Sequence, residues 1–240
     1  MLVEVCANSL ESAMNAQKAG ADRIELCSEL AIGGITPSFG LMKSVKENIE
    51  IPVHVLIRPR SGDFTYSEME FNIMKENIDL CVALGFEGIV SGILHADFKL
   101  DVERTKTLIE ASGDLKFTFH RAFDWVLNPI DTLKHLERLG VDTILSSGQQ
   151  KSAFEGIGLL SQLNEMATTC TIMPGGGINE RNAKQFNDVG FGAIHLSGIK
   201  YAKLLDAVPP VSMNSPSLLS DQGIYISNLK SLKNVLQEVK

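Results

Sequence analysis

Short apolar runs alternate with amphipathic stretches eight times along this chain, and no domain-sized break interrupts the pattern. Read by periodicity, strands are expected at Leu2–Cys6, Arg23–Cys27, Pro52–Ile57, Gly88–Gly92, Lys116–His120, Asp142–Ser146, Thr169–Met173 and Ala193–Ser197. Helices are expected at Ser9–Ala19, near Gly40–Asn48, at Ser67–Leu84, after Asp101, from Asn128-Pro129 to Leu139, around Ser152–Ala167, from an Asn179 cap to Asp188, and at about Ile224–Glu238. Ser9 suits an N-cap, Pro129 a first helical position, and Gly20, Gly85 and Gly140 the helix stops. Strands that alternate with helices in this way build parallel sheets. Eight such units in 240 residues fit a TIM-like (β/α)8 barrel, which typically takes about 250. The competing architecture is an open doubly wound sheet. The first strand is not followed by the G-x-G-x-x-G of a dinucleotide-binding fold, which favours the barrel.

The reading is a single domain over residues 1–240, with one stretch outside the pattern. Residues 207–222 carry Pro209-Pro210, Pro216 and several serines. They read as a long flexible surface loop before a C-terminal helix. A net charge of -7 gives no reason to expect nucleic acid or an anionic membrane surface as a partner. No signal-peptide pattern opens the chain and no apolar run has membrane-spanning length. Cys6, Cys27, Cys81 and Cys170 form neither a disulfide framework nor a C-x-x-C spacing, so a reduced cytoplasmic protein is expected. Cys81 and Cys170 read as core filler.

A barrel of this class carries its active site at the C-terminal ends of its strands. Side chains at i and i+2 share a face of a strand. Assigning the apolar set to the helix-facing side leaves Glu4 and Cys6 inward on the first strand, and Glu25 and Cys27 on the second. The third leaves His54 and Arg58, the fifth Thr118 and His120, and the eighth His195 and Ser197. Two buried carboxylates require partners, and Arg58 is the expected one. Glu4, Glu25, Arg58 and His120 are therefore the candidate catalytic residues, against the alternative of a salt-bridge network that only closes the barrel. Asp124 is placed to orient His120 or to pair with Arg121. Gly175-Gly176-Gly177, ahead of a helix capped by Asn179, together with Ser197, read as an anion-binding loop or as tight turns.

Several stretches, in order, resemble the copper homeostasis (CutC) family. They are Leu2-Val3-Glu4-Val5-Cys6, Gly20-Ala21-Asp22-Arg23-Ile24-Glu25-Leu26-Cys27, Gly33-Gly34-Ile35-Thr36-Pro37-Ser38 and Ile57-Arg58-Pro59-Arg60-Ser61-Gly62-Asp63-Phe64. Thr118-Phe119-His120-Arg121-Ala122-Phe123-Asp124, Ser146-Ser147-Gly148 and Met173-Pro174-Gly175-Gly176-Gly177-Ile178 continue the match. The resemblance runs to about residue 200, and the chain departs from the pattern after Ser197. It implies a cytoplasmic barrel that assembles as a homodimer or higher homo-oligomer, with a role in copper tolerance or trafficking. It also implies that Cys6 and Cys27 are Cu(I) ligands. Thiolates are soft ligands that select Cu(I), and strands about 4.8 Å apart let two thiols share one ion.

Two functions are therefore carried forward. One is a Cu(I)-binding barrel holding its copper on Cys6 and Cys27. The other is a barrel enzyme (isomerase, lyase or hydrolase) acting on a small phosphorylated or carboxylated metabolite. In that case Gly175–Gly177 and Ser197 hold the anion, Glu4, Glu25 or His120 moves a proton, and Arg58 stabilises negative charge.

Overall fold

The computed structural model describes residues 1–213 and 221–240. Its strands and helices alternate as β1 (Leu2–Ala7), α1 (Leu10–Ala19), β2 (Arg23–Leu26), α2 (Phe39–Asn48), β3 (Val53–Leu56), α3 (Glu68–Ala83), β4 (Gly88–Ser91) and α4 (Val102–Ser112). Then come β5 (Lys116–Phe119), α5 (Pro129–Leu139), β6 (Thr143–Ser146), α6 (Ile157–Met166), β7 (Thr171–Pro174), α7 (Ala183–Val189) and β8 (Ala193–Leu196). The chain ends with β9 (Ile199–Lys203), β10 (Gly223–Ser227) and α8 (Leu229–Val239).

The strands β1 to β8 form one parallel sheet in the order β7-β6-β5-β4-β3-β2-β1-β8. A parallel bridge between Gly175 and His195 joins its two ends, so the sheet closes on itself as a (β/α)8 barrel. The helices are punctuated as their sequences require. The Ser9 side chain accepts from the Ser12 N–H, Gly20 ends α1 in the left-handed conformation, and Ser67 and Glu70 form a reciprocal capping box. Asn128 caps α5 ahead of Pro129.

The main core lies between sheet and helices. The outward sets Val3/Val5, Ile24/Leu26, Val53/Val55/Ile57, Phe117/Phe119 and Ile194/Leu196 are all buried in it. Among the described residues, two small apolar clusters stand apart from this core: Cys6, Cys27, Leu56 and Val90, and Leu145, Met173 and Ala193.

Three element expectations need correction, the first being the sixth helix, expected around Ser152, which starts at Ile157. The final helix starts at Leu229, not Ile224. Residues 223–227 instead pair antiparallel with 199–203 as a hairpin (Ile224 opposite Ala202, Tyr225 opposite Tyr201). Asn228 ends that strand and caps α8, accepting from the Ser231 N–H. The loop expected at 207–222 is thus flanked by a two-stranded ribbon, and its residues 214–220 lie outside the described part. The helix expected from Asn179 starts at Ala183. Asn179 turns back on the glycine loop instead, donating from Nδ2 to the Gly177 carbonyl.

Candidate functional site

Cys6, Glu25, His195 and Ser197 line one side of a cavity of about 620 Å³ at the C-terminal mouth of the barrel. Parallel pairing sets Cys6 beside Glu25, and Glu4 beside both Arg23 and His195. Cys27, one step further along β2, brings its Sγ within 3.5 Å of the Cys6 Sγ. Gly34 makes that approach possible. A Cβ there would lie 2.8 Å from Leu56 Cδ2 and 3.3 Å from Cys27 Cβ, and its φ of +84° is costly for any other residue. The Cys6 Sγ, a carboxylate oxygen of Glu25 and a ring nitrogen of His195 lie within 4.8 Å of one another, a set able to hold a metal ion.

A chain of charges runs beneath the thiols. Arg23 Nε donates to Glu4 Oε2 at 2.6 Å, Glu4 Oε1 lies 2.7 Å from His195 Nδ1, and His195 Nε2 lies 3.4 Å from Glu25 Oε2. Burial pushes Glu4 up, but the Arg23 charge, the hydrogen bond from His195 and the His195 and His54 charges outweigh it. The carboxyl ends lowered to about 2. Burial lowers His195, and the Glu25 and Glu4 carboxylates overcome this and raise it; with Glu4 ionised, the His195 Nδ1–H donates to it. Glu25 is raised, first by burial and then by the Glu4 charge. The Cys6 thiol is raised well above its usual value by its hydrogen bond with Cys27, by burial and by the Cys27 and Glu25 charges.

Arg58 does not partner the carboxylates. Its Nη1 donates to the carbonyls of Ile32 (2.9 Å) and Gly34 (2.8 Å), and its Nη2 to that of Gly62 (2.9 Å). The long side chain leaves the strand end and staples two mouth loops together. The true partner, Arg23, has the same parity on β2 as Glu25 and Cys27, and the i, i+2 rule alone could have found it.

His120 is buried at the end of β5. Its Nδ1 accepts from the Ala122 N–H at 3.2 Å, which places the proton of the neutral ring on Nε2. Burial, reinforced by the Arg58 charge, lowers its pKa to about 3. Its Nε2 is buried with no partner among the described residues. Asp124 serves Arg121 rather than His120. It accepts from Arg121 Nε at 2.8 Å and from the Ser146 and Ser147 hydroxyls.

Across the mouth from the thiols, Arg121, Gly176 and Gly177 line the cavity. Arg121 Nη2 donates to Ser147 Oγ, and its Nη1 would lie 3.5 Å from a Cβ at Gly176. The loop carbonyls are engaged elsewhere, Gly176 O by the Ala153 N–H and Gly177 O by the Asn179 and Asn182 amides. Gly175 is separate from this group, because its N–H donates to Ser146 O within the barrel wall. With α7 beginning only at Ala183, no helix N-terminus backs the loop.

A family model described as the CutC family matches residues 1–200. The family protein CutC of Salmonella typhimurium is 42% identical over 226 residues, covering 94% of this chain and 87% of that protein. The crystal structure of the CutC protein of Streptococcus agalactiae, named for copper homeostasis, superposes with a TM-score of 0.78 at 34% identity. It covers 82% of this chain and 98% of that one. Thiamine phosphate pyrophosphorylase from Pyrococcus furiosus superposes with a TM-score of 0.61 at 14% identity, covering 99% and 95%, a likeness of fold alone.

Proposed function

The chain belongs to the CutC family, and from that premise we propose that it is a copper homeostasis protein whose barrel mouth binds Cu(I). The observation that carries this reading is the 3.5 Å approach of the Cys6 and Cys27 sulfurs. Two thiolates are a soft donor pair, and the His195 imidazole beside Cys6 supplies a third ligand compatible with Cu(I). Glu25 is the harder donor of that group and acts here as an acceptor for the Cys6 thiol rather than as a ligand.

Copper enters this site by displacing thiol protons, since only the thiolate is a ligand. The reading places the protein in the cytoplasm, where thiols stay reduced. It places the protein there as a homodimer or higher homo-oligomer, as the family resemblance implies.

Competition for Cu(I) against a chromophoric chelator under reducing conditions tests the reading. The parent protein is expected to take up one equivalent, and Cys6→Ser/Cys27→Ser to take up none. A double variant that holds copper as tightly as the parent would show the reading to be wrong.

A further inference from the structure

A Cu(I) ion held between two sulfurs leaves most of the mouth unused. The cavity of about 620 Å³ lies within the size range of small-molecule sites and is lined by apolar side chains with a few convergent polar groups. The strand order divides those groups. Glu25 and His195 belong to the β8-β1-β2 arc, Arg121 follows β5 on the facing side, and Gly176 and Gly177 follow β7, the neighbour of β8. Among the described residues, Glu25 is the one carboxylate in the lining. Arg121, with Nε and Nη2 fixed by Asp124 and Ser147, keeps Nη1 beside Gly176. His120, next to Arg121 at the end of β5, also lines the cavity, its Nε2 buried without a partner among the described residues. Phe64 packs on this imidazole at 4.8 Å between centroids and in turn carries Arg58 on its face, so the ring is held in place.

A buried N–H donor without an acceptor is costly, and a ligand oxygen is what this one lacks. We propose that the mouth is also an active site for proton transfer next to a carbonyl, acting on a small oxo compound that bears a phosphate or carboxylate group. The anionic group lies on Arg121 against Gly176 and Gly177, and the carbonyl oxygen accepts from His120 Nε2–H.

Glu25 takes a proton from the carbon beside the carbonyl. The C–H electron pair becomes the new C=C bond, and the carbonyl π pair moves to the oxygen, where the His120 N–H stabilises it. Glu25 trades its proton with solvent and returns one to the same carbon, which completes exchange; where that carbon carries a hydroxyl, the hydroxyl proton passes to the former carbonyl oxygen and Glu25 protonates the former carbonyl carbon, which completes isomerisation with no further reactant. A neutral imidazole suits the donor role, and burial keeps His120 neutral at physiological pH.

The test is hydrogen–deuterium exchange of dihydroxyacetone phosphate, pyruvate and 2-oxobutyrate in D2O. It is followed by proton NMR with a Cu(I) chelator present, so that copper binding and exchange are scored separately. At least one probe is expected to exchange faster than in the protein-free control. Glu25→Gln and His120→Ala are each expected to slow it about 100-fold. Arg121→Met is expected to raise the half-saturating concentration about tenfold with a smaller effect on the rate at saturation. The Arg121 side chain is 44% exposed, so this variant tests the site even where a buried substitution unfolds the barrel. No exchange above the control with any probe, exchange that survives Glu25→Gln in a folded protein, or an unchanged half-saturation in Arg121→Met would each overturn the proposal.

Discussion

His54 and His120 are both buried and neutral, with pKa values lowered to about 4 and about 3, by burial first and then by Arg23 and Arg58 respectively. In the unfolded chain each gains a proton below about 6.5. The unfolded state therefore binds more protons between pH 6.5 and about 4, and stability falls as pH drops through that window. His195 is shifted upward, so it is protonated in both states below pH 6.5 and adds no slope there. Glu4 adds its own loss lower still, from 4.5 to about 2. Denaturant titrations from pH 7 to pH 4 are expected to show a loss of about 3 kcal/mol for each neutral histidine, at about 1.4 kcal/mol per pKa unit. His54→Gln is expected to remove its share of that slope, and an equal slope in the variant would contradict the assignment. Parity along the strands was enough to place Glu4, Cys6, Glu25, Cys27, His54 and His120 inside. It did not tell how far a long side chain travels after leaving the strand. Arg58 accordingly reaches backbone carbonyls instead of the carboxylates expected of it, and Arg23, at the start of β2, pairs with Glu4.

Arg58 links two loops that form one wall of the cavity, and its three carbonyl acceptors belong to Ile32, Gly34 and Gly62. A lysine carries one ammonium in place of a planar fork and cannot reach all three in this geometry. Hydrogen bonds from charged donors contribute about 1.5–3 kcal/mol each. Losing one or two of them in Arg58→Lys is expected to ease local opening of the 30–34 turn by about 2 kcal/mol. The amides of Gly33 and Gly34, which donate to Leu30 and Glu29 carbonyls, are the reporters. Their hydrogen exchange is expected to accelerate about 30-fold while amides of β4 and β5 are unaffected. Uniform acceleration across the barrel would mean that Arg58 supports the whole fold rather than this wall. At this scale the alternation of apolar runs suffices for the eight barrel strands and for the helices that carry their own caps; α6 and α7, with no side-chain cap, start later than the pattern suggests. The β9–β10 ribbon escaped the same reading. Its strands, IKYAK and GIYIS, are short and half-exposed, and the second runs directly into α8, so Ile224 and Ile226 were absorbed into the helical pattern.

The barrel is closed by more than its sheet. Among the described residues, the β7–β8 seam has one bridge, at Gly175 and His195, and β8 is otherwise paired only to β1. The eighth helix, α8, lies beyond the 1–200 stretch that the family model matches, yet it packs between α1 and α7, next to the strand that closes the barrel. Its Leu232, Val235, Leu236 and Val239 are all buried, and Lys240 reaches the Asp22 carboxylate at 2.8 Å. Leu232 also fills the space above Gly198, where an added Cβ would lie 2.5 Å from it. Burying an aliphatic side chain stabilises by roughly 1.5–3 kcal/mol. Four of them amount to about 6–12 kcal/mol, on the order of the whole net stability of a typical domain, about 5–15 kcal/mol. Removing residues 229–240 uncovers the matching faces of α1 and α7 as well. The shortened chain is therefore expected to show no cooperative thermal transition by circular dichroism, whereas the full chain melts in one step. A cooperative melt within about 5 °C of the parent would correspond to a loss of only about 1–2 kcal/mol for a protein of this size. Such a result would make α8 an appendage to a barrel that seven helices and the single seam bridge already hold closed.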